Sequence, residues 1–202
     1  MAKSENRVLE GAFRLFLNSS YDGVSTSDIE REIGLTRGAI YYTYKSKLEL
    51  FRAVIDHFIL NKQDVFQKTG LNVEVAKIIS LKEFFEIYIN GARRTIESMR
   101  TFVRGGNNGF AGYFSLLYQA HNLYEGFDEM IYERFFNEYR FIKAVVQNAI
   151  EKKEIRSLDA DEVSHQIRYI FIGCSFEKSF HHGLVPDEIK RHLEYYYEII
   201  KL

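Results

Sequence analysis

A short segment near the N-terminus combines residue types that can read a DNA duplex. Residues 36–44 have the sequence TRGAIYYTY. Arg37 can donate two hydrogen bonds in a fork to guanine, which is the commonest specific contact in a major groove. Gly38 and Ala39 are small and would let a helix backbone approach the base edges closely. The segment therefore predicts a short helix that makes direct contacts to bases.

Hydroxyl and ammonium groups near this segment can hold the phosphate backbone. Tyr41 and Tyr42 can donate hydroxyl hydrogen bonds to phosphates, and Thr43 could do the same or touch a thymine methyl group. Lys47 lies in the first turn of the next predicted helix, where free backbone N–H groups also favour an anion. Thr26 has the same position at the start of the preceding helix.

The neighbouring sequence predicts the helices that hold this segment in place. An apolar stripe predicts a first helix from about Glu5 to Asn18. Gly34 can end a second helix in the left-handed conformation, Thr36 caps the third, and Ser46–Glu49 is a capping box that starts a fourth. This is the layout of a helix-turn-helix module. The alternative is a plain three-helix bundle in which both tyrosines are half-buried packing residues.

The rest of the 202-residue chain is long, helical and rich in aromatic residues. It contains one proline, Pro186, and this scarcity of turn residues favours an all-α fold with about nine helices. We expect a helix-turn-helix domain over residues 1–47 and a larger ligand-binding and dimerisation domain over 48–202. The fourth helix is predicted to run unbroken to about Gln67. Further helices are predicted at Leu81–Met99, Tyr113–Glu125, Asp128–Lys153, Asp161–His182 and Asp187–Lys201.

Several other classes of site find no support in the sequence. Cys174 is the single cysteine, which excludes an intrachain disulfide and a cysteine-based zinc site. His181 and His182 are adjacent on a helix and point about 100° apart, so they are poorly placed to share a metal. Residues 105–109 are not a phosphate loop, because no Gly-Lys-Ser/Thr follows. We expect no catalytic set, no cofactor and no metal.

The chain shows no signal of secretion or membrane insertion. Its N-terminus has no signal-peptide core, and its longest apolar run is too short to span a bilayer. We therefore expect a cytoplasmic protein without membrane contact. The formal net charge is −1, so any contact with DNA has to rely on a local excess of basic residues, which the stretch from Arg31 to Lys47 provides.

Aromatic residues in the larger domain can either line an apolar cavity or fill an ordinary core. As a set they permit a flat or hydrophobic ligand, because ligand pockets are mostly apolar with few polar groups. The candidate ligand-binding residues are Phe85, Tyr88, Arg104, Phe110, Tyr113, Tyr118, His121, Tyr139 and Phe171.

The N-terminal motifs resemble those of the TetR family of transcriptional regulators. The matching elements are Ala12-Phe13, Ser25-Thr26, Asp28-Ile29, Gly34-Leu35, Thr36, Gly38-Ala39, Ile40-Tyr41-Tyr42, Tyr44 and Ser46-Lys47. The resemblance covers roughly residues 5–56, and Thr43 stands where the family commonly has histidine. It implies a homodimer that binds a palindromic operator in double-stranded DNA. It also implies a small-molecule effector in the C-terminal domain and, in most members, repression that is relieved when the effector binds.

With the resemblance, the predicted DNA-binding set is Thr26, Thr36, Arg37, Gly38, Ala39, Tyr41, Tyr42, Thr43 and Lys47. The last two predicted helices should form the dimer interface as a four-helix bundle. The predicted interface residues are Ile170, Gly173, Cys174, Leu193, Tyr196 and Ile200. Three alternatives remain open: a monomeric core, a helical dimer that binds partners or small molecules without an operator, and a carrier or enzyme that uses the aromatic cavity.

Overall fold

The computed structural model describes residues 2–61, 64–104, 109–181 and 183–202. These residues form eleven α-helices and one π-helical turn, and they contain no β-strand. The all-α prediction is therefore confirmed. The α-helices are α1 Ala2–Asn18, α2 Thr26–Ile33, α3 Arg37–Thr43, α4 Lys47–Ile55, α5 Val65–Thr69, α6 Val73–Ala76, α7 Leu81–Arg100, α8 Gly109–Leu123, α9 Phe127–Glu151, α10 Ala160–Ser179 and α11 Pro186–Ile200.

Side-chain caps define the ends of the first helices. The Ser25 hydroxyl accepts a hydrogen bond from the Asp28 N–H, and the Asp28 carboxylate accepts one from the Ser25 N–H, which closes a capping box at α2. Gly34 ends α2 with a φ of 68°, a conformation that glycine adopts without the penalty a Cβ would bring. The Thr36 hydroxyl caps α3, and the Ser46 hydroxyl caps α4. These short-range bonds fix where α3 begins and in which direction it leaves the module.

The fourth helix is shorter than the sequence predicts. It ends at Ile55 and continues as a π-helical turn over Asp56–Leu60. The apolar residues Val65 and Phe66 belong to a separate helix, α5, because the Asp64 carboxylate accepts hydrogen bonds from the N–H groups of Phe66 and Gln67 and starts a new helix there. The stripe of apolar residues continues across this break, so periodicity alone could not reveal it.

Two hydrophobic clusters form the interior. The first fills the space between α1, α2, α3 and α4, and also includes Leu116 and Ala120 of α8 and Phe127 of α9. The second joins α7 to the later helices around Phe84 and Phe141. Because α8 contributes to the core of the N-terminal helices, those helices do not have a core of their own.

Helix α8 lies directly against α1. A Cβ atom at Gly112 would collide with the carbonyl oxygen of Leu17, so only glycine permits this close approach. Nearby, the Tyr21 N–H donates to the side-chain oxygen of Gln119. Asn18, the last residue of α1, also holds the segment after α7: it donates to the Phe102 carbonyl at 2.9 Å and accepts from the Arg104 N–H at 3.0 Å. Helix α8 is therefore packed tightly against α1 and the turn that follows it.

Candidate nucleic-acid interface and small-molecule cavity

Helix α3 presents one face to solvent. Arg37, Gly38, Ala39 and Thr43 are exposed, and 83% of the Tyr42 side chain is accessible. No atom outside the local backbone lies within 4 Å of a Cβ placed on Gly38, so the helix surface is open at that position. This face combines a forked cation, a hydroxyl-bearing ring and little steric bulk, which suits approach to base edges and phosphates.

The two adjacent tyrosines have different environments. Tyr41 is half-buried against the first hydrophobic cluster, and its hydroxyl is enclosed without a hydrogen-bond partner among the described residues. Burial raises the pKa of Tyr41 above its ordinary value, although the Arg37 guanidinium close to its ring partly opposes this. Of the two hydroxyls that were predicted to reach phosphates, that of Tyr42 is therefore open to solvent, whereas that of Tyr41 is enclosed.

Lys47 is held by its own chain. Its Nζ donates to the carbonyl oxygens of Tyr21 and Val24, at 3.0 Å in each case, and lies 4.0 Å from the centroid of the Tyr21 ring. The ammonium group has three donors, so these bonds leave one for another acceptor. Thr26 is half-buried in the first turn of α2, and Thr36 is exposed at the start of α3. The structure contains no DNA, so the contacts of these residues with a duplex stay predictions.

A largely apolar cavity of about 550 Å³ lies between α7, α8, α9 and α10. Its volume is within the range of small-molecule sites, about 300–1,000 Å³. Five of the candidate ligand-binding residues line it: Tyr88, Tyr113, Tyr118, His121 and Phe171. The aromatic residues Phe114 and Phe135 of the larger domain also line it, as do Phe127, Glu138 and Phe176, which were not predicted from the sequence.

Glu138 is the buried charged group of the cavity wall. It is 6% exposed and accepts a hydrogen bond of 2.9 Å from the Tyr88 hydroxyl. The Lys68 ammonium lies 3.8 Å from one carboxylate oxygen, and Arg168 Nε lies 3.6 Å from the other. Burial and the adjacent Glu138 charge raise the pKa of Tyr88 well above its ordinary value, so its hydroxyl remains a donor. The same two causes raise the pKa of Tyr113.

The remaining candidate ligand-binding residues do not line this cavity. Phe85 is buried in the second hydrophobic cluster. Arg104 forms an ion pair with Glu32 of α2 and so ties the end of α7 to the N-terminal helices. The Tyr139 hydroxyl donates to Asp161, and its ring stacks on His165. The side chain of Phe110 lies outside the described residues.

Several residues predicted for the dimer interface pack within their own chain. Leu193 and Ile200 are buried in the core of their own chain, and Ile170, Cys174 and Tyr196 pack against the same cluster from its edge. These residues form the apolar faces with which α10 and α11 pack against their own chain. Leu193 and Ile200 are therefore core residues and not, as predicted, residues of a dimer interface. Gly173 is exposed and open. The exposed apolar residues on these helices are Tyr169, Ile172, Phe176, Phe180, Tyr195 and Ile199.

The histidine, cysteine and apolar segments of the described residues provide no further candidate site. Across the described ranges, no three His, Cys, Asp or Glu side chains are grouped closely enough to hold a metal ion. No helix in the same part of the chain is long and apolar enough to cross a membrane. His182 and residues 105–108 lie outside the described residues. Burial raises the pKa of the Cys174 thiol, which disfavours the reactive thiolate.

Sequence comparisons match the N-terminal region. The family model for bacterial regulatory proteins of the tetR family matches residues 8–54. The chain is 34% identical over 74 residues to the repressor AcnR of Corynebacterium glutamicum, which covers 37% of this chain and 39% of AcnR. It is 26% identical over 83 residues to IcaR, a negative regulator of a biofilm operon in Staphylococcus epidermidis, covering 37% of this chain and 45% of IcaR. The matched parts are thus less than half the length of these relatives.

Structural comparisons extend over the whole chain. A TetR regulator from Chloroflexus aurantiacus has a TM-score of 0.69 and 22% identity, with coverage of 100% of this chain and 98% of that one. A transcriptional regulator from Saccharomonospora viridis, solved in complex with choline, has a TM-score of 0.69 and 17% identity, with complete coverage of both chains. At these identities the likeness shows the fold alone. Residues 8–54 thus match the helix-turn-helix region of the tetR family of bacterial regulatory proteins, and the whole chain has the fold of the solved regulators.

Proposed function

We propose that the protein is a ligand-responsive transcriptional repressor that leaves a palindromic operator when a small, largely apolar molecule enters its cavity. Members of its family are DNA-binding transcription factors rather than enzymes, and they are typically repressors. The observation that carries the proposal is the exposed face of α3, where both Arg37 and the ring of Tyr42 are open to solvent. As a regulator of transcription, it acts in the cytoplasm.

Operator binding of this kind requires two copies of the chain. A palindrome is read by two symmetry-related helices whose separation matches about 34–36 Å, one turn of the duplex, or a multiple of it. The exposed apolar residues of α10 and α11, including Ile172, Phe176 and Ile199, support a homodimer through these helices. Gly173 would let a partner helix approach closely, because nothing fills the space above it. Analytical ultracentrifugation of the wild-type chain and of Ile199→Lys tests this pairing.

Helix α8 contacts both the cavity and the N-terminal helices, which supports a connection between the cavity and the DNA-binding surface. It lines the cavity with Tyr113 and Phe114, contacts α1 at Gly112, and accepts a hydrogen bond through Gln119 from Tyr21 in the turn after α1. A ligand that favours one position of α8 thereby favours one position of the N-terminal helices. To change occupancy of the operator strongly, the ligand must distinguish the two positions by about 5 kcal/mol.

A mobility-shift titration with the DNA upstream of the protein's own gene tests the operator role. We expect Arg37→Ala and Tyr42→Ala each to weaken specific binding by about 1 to 3 kcal/mol. The matched control is Arg100→Ala, which removes an exposed arginine that lies outside α3, at the C-terminal end of α7. If Arg37→Ala and Tyr42→Ala both bind this DNA like the wild-type protein, the proposed reading surface is wrong.

The alternative function is a helical dimer that binds small molecules or protein partners without an operator. Salt dependence separates the two, because a protein that neutralises phosphates loses affinity steeply as salt rises. A dimer that shows neither sequence preference nor salt-dependent affinity for DNA would support the alternative. Native mass spectrometry of the purified protein would report both the subunit count and any retained small molecule.

A further inference from the structure

A second, polar groove lies beside the apolar cavity. It has a volume of about 690 Å³ and lies between the end of the π-helical turn, α5, α7 and α9. Lys68 and Thr95 line both spaces, so the polar groove and the apolar cavity meet at these two side chains. A molecule that occupied both would have an apolar part and a polar part.

The described lining of the groove carries an excess of positive charge. Lys68, Arg94 and Arg134 contribute three cations, and Asp64 contributes one carboxylate. Arg94 is held at the groove by a hydrogen bond of 2.8 Å to the Lys68 carbonyl oxygen. Arg134 lies 3.6 Å from Asp64, and its buried Nε has no hydrogen-bond partner among the described residues. Asp64 also caps α5, so its carboxylate only partly offsets these cations.

The charges at the junction with the cavity also disfavour a cationic ligand. Glu138 is the buried carboxylate there, but Lys68 and Arg168 already face it, and the Tyr88 hydroxyl donates to it. A ligand cation placed at Glu138 would therefore meet two like charges at short range. Lys68, Arg168 and Glu138 together have one positive charge in excess, and an anionic ligand would neutralise it.

We propose that the effector is an amphipathic carboxylate, with its apolar body in the aromatic cavity and its anionic head in the basic groove near Arg94 and Arg134. Arginine suits this role because its planar fork matches the two oxygens of a carboxylate. The proposal deepens the proposed function, since it names the class of ligand for the same cavity. His57, in the π-helical turn that continues α4, and Asn61, which follows this turn, also line the groove, so the head would contact the element that leads to the DNA-binding helices.

Titration calorimetry of the full-length protein with eight-carbon probes tests the ligand class without DNA. The probes are octanoate, 1-octanol and octyltrimethylammonium, which share an apolar chain and differ in head charge. We expect octanoate to bind at least about tenfold more tightly than octanol, the effect of one charge-assisted hydrogen bond. From butyrate to octanoate, affinity should rise by up to about fourfold for each added methylene. Equal affinity for octanol, or tighter binding of the ammonium probe, would overturn the proposal.

Variants locate the head group. Arg94→Gln and Arg134→Gln should each weaken octanoate binding while leaving octanol binding unchanged, and together they should abolish the preference for octanoate. Arg94 is exposed, so its replacement is compatible with folding even if Arg134→Gln proves unstable. The matched control is Arg100→Gln on the same helix. An unchanged octanoate preference in Arg94→Gln and in the double variant would exclude the groove as the site of the head.

The proposal about the ligand class and the proposal about operator binding can fail independently of each other. A protein that binds octanoate as expected but prefers no upstream DNA would overturn the repressor proposal and support this ligand class. A protein that binds its operator but shows no preference for octanoate would overturn the ligand class alone.

Discussion

Helix α3 and the apolar cavity are held in place by different kinds of interaction. Helix α3 has seven residues, and neighbours in the sequence fix it: the Thr36 cap, the Gly34 turn and the buried Ile40. The cavity is built from four helices that are far apart in the chain, and its one buried carboxylate is balanced by Lys68 of α5 and Arg168 of α10. The first region depends on local hydrogen bonds, whereas the second depends on long-range packing and charge balance.

This difference predicts unequal sensitivity to substitution. Changes on the outer face of α3 should alter DNA binding while the fold persists, because the side chains there are exposed to solvent. Changes at the cavity wall should alter stability as well as ligand binding, because each wall residue also supports its neighbours. Substitutions in the two regions test this difference.

The largest expected effect is at Glu138. Replacing it by alanine leaves Lys68 and Arg168 facing each other without the carboxylate and removes the acceptor of the Tyr88 hydroxyl. Removing one partner of a buried ion pair costs about 3 to 5 kcal/mol, so we expect Glu138→Ala to lower the free energy of unfolding by about 3 kcal/mol. Urea denaturation measures this. Glu133→Ala, an exposed position on the same helix, is the control and should change stability by less than about 0.5 kcal/mol.

A smaller loss of stability is expected at Gly112, where α8 contacts α1. The added methyl group of Gly112→Ala would meet the Leu17 carbonyl and push the helices apart. Such overpacking costs about 1 to 3 kcal/mol. Because this contact joins the two regions, the variant should also weaken DNA binding.

The comparison variant for Gly112 is Gly173→Ala. Nothing lies near its Cβ, and alanine favours a helix by about 1 kcal/mol over glycine, so the isolated chain should become more stable. Equal thermal stability of the two variants would contradict the described packing of α8 on α1. A drop in dimer affinity for Gly173→Ala, measured by ultracentrifugation, would support close helix approach at that position.

The contrast between the regions also explains what the sequence could predict. The caps at Thr36 and Ser46 and the glycine turn are local signals, and the structure has all of them. Glu138 gave no such signal, because its partners are 70 residues before it and 30 residues after it in the sequence. Leu193 was misplaced for a related reason: a helix with apolar residues on two faces does not reveal from its sequence which face meets its own core.

Tyr41 and Tyr42 allow the contrast to be tested within one helix. Phenylalanine at position 41 removes a buried hydroxyl that has no described partner, so we expect Tyr41→Phe to raise the free energy of unfolding by up to about 1 kcal/mol and to leave operator affinity unchanged. Tyr42→Phe should do the reverse, leaving stability unchanged and weakening DNA binding. Denaturation and mobility-shift titrations on both variants measure this. A loss of operator affinity in Tyr41→Phe would mean that its hydroxyl turns outward on DNA.

The smallest expected effect is the pH dependence of the link between the regions at Glu32. Burial alone would raise the pKa of Glu32, but hydrogen bonds from Arg14 and Arg104 more than offset this and hold it below its ordinary value. A carboxylate with a lowered folded-state pKa binds protons less readily than in the unfolded chain, so its contribution to stability is complete above the unfolded pKa of about 4.3. It is lost as the pH falls through the folded-state pKa. In Glu32→Gln, we therefore expect the difference in stability from wild type, below about 1 kcal/mol for a partly exposed pair, to be present at pH 7 and to shrink below about pH 4. Thermal denaturation of both proteins between these pH values measures the difference. A stability difference that stays constant across this pH range would show that the Glu32 charge does not stabilise the contacts with Arg14 and Arg104. The packing of α8 on α1 would then hold the two regions together without these ion pairs.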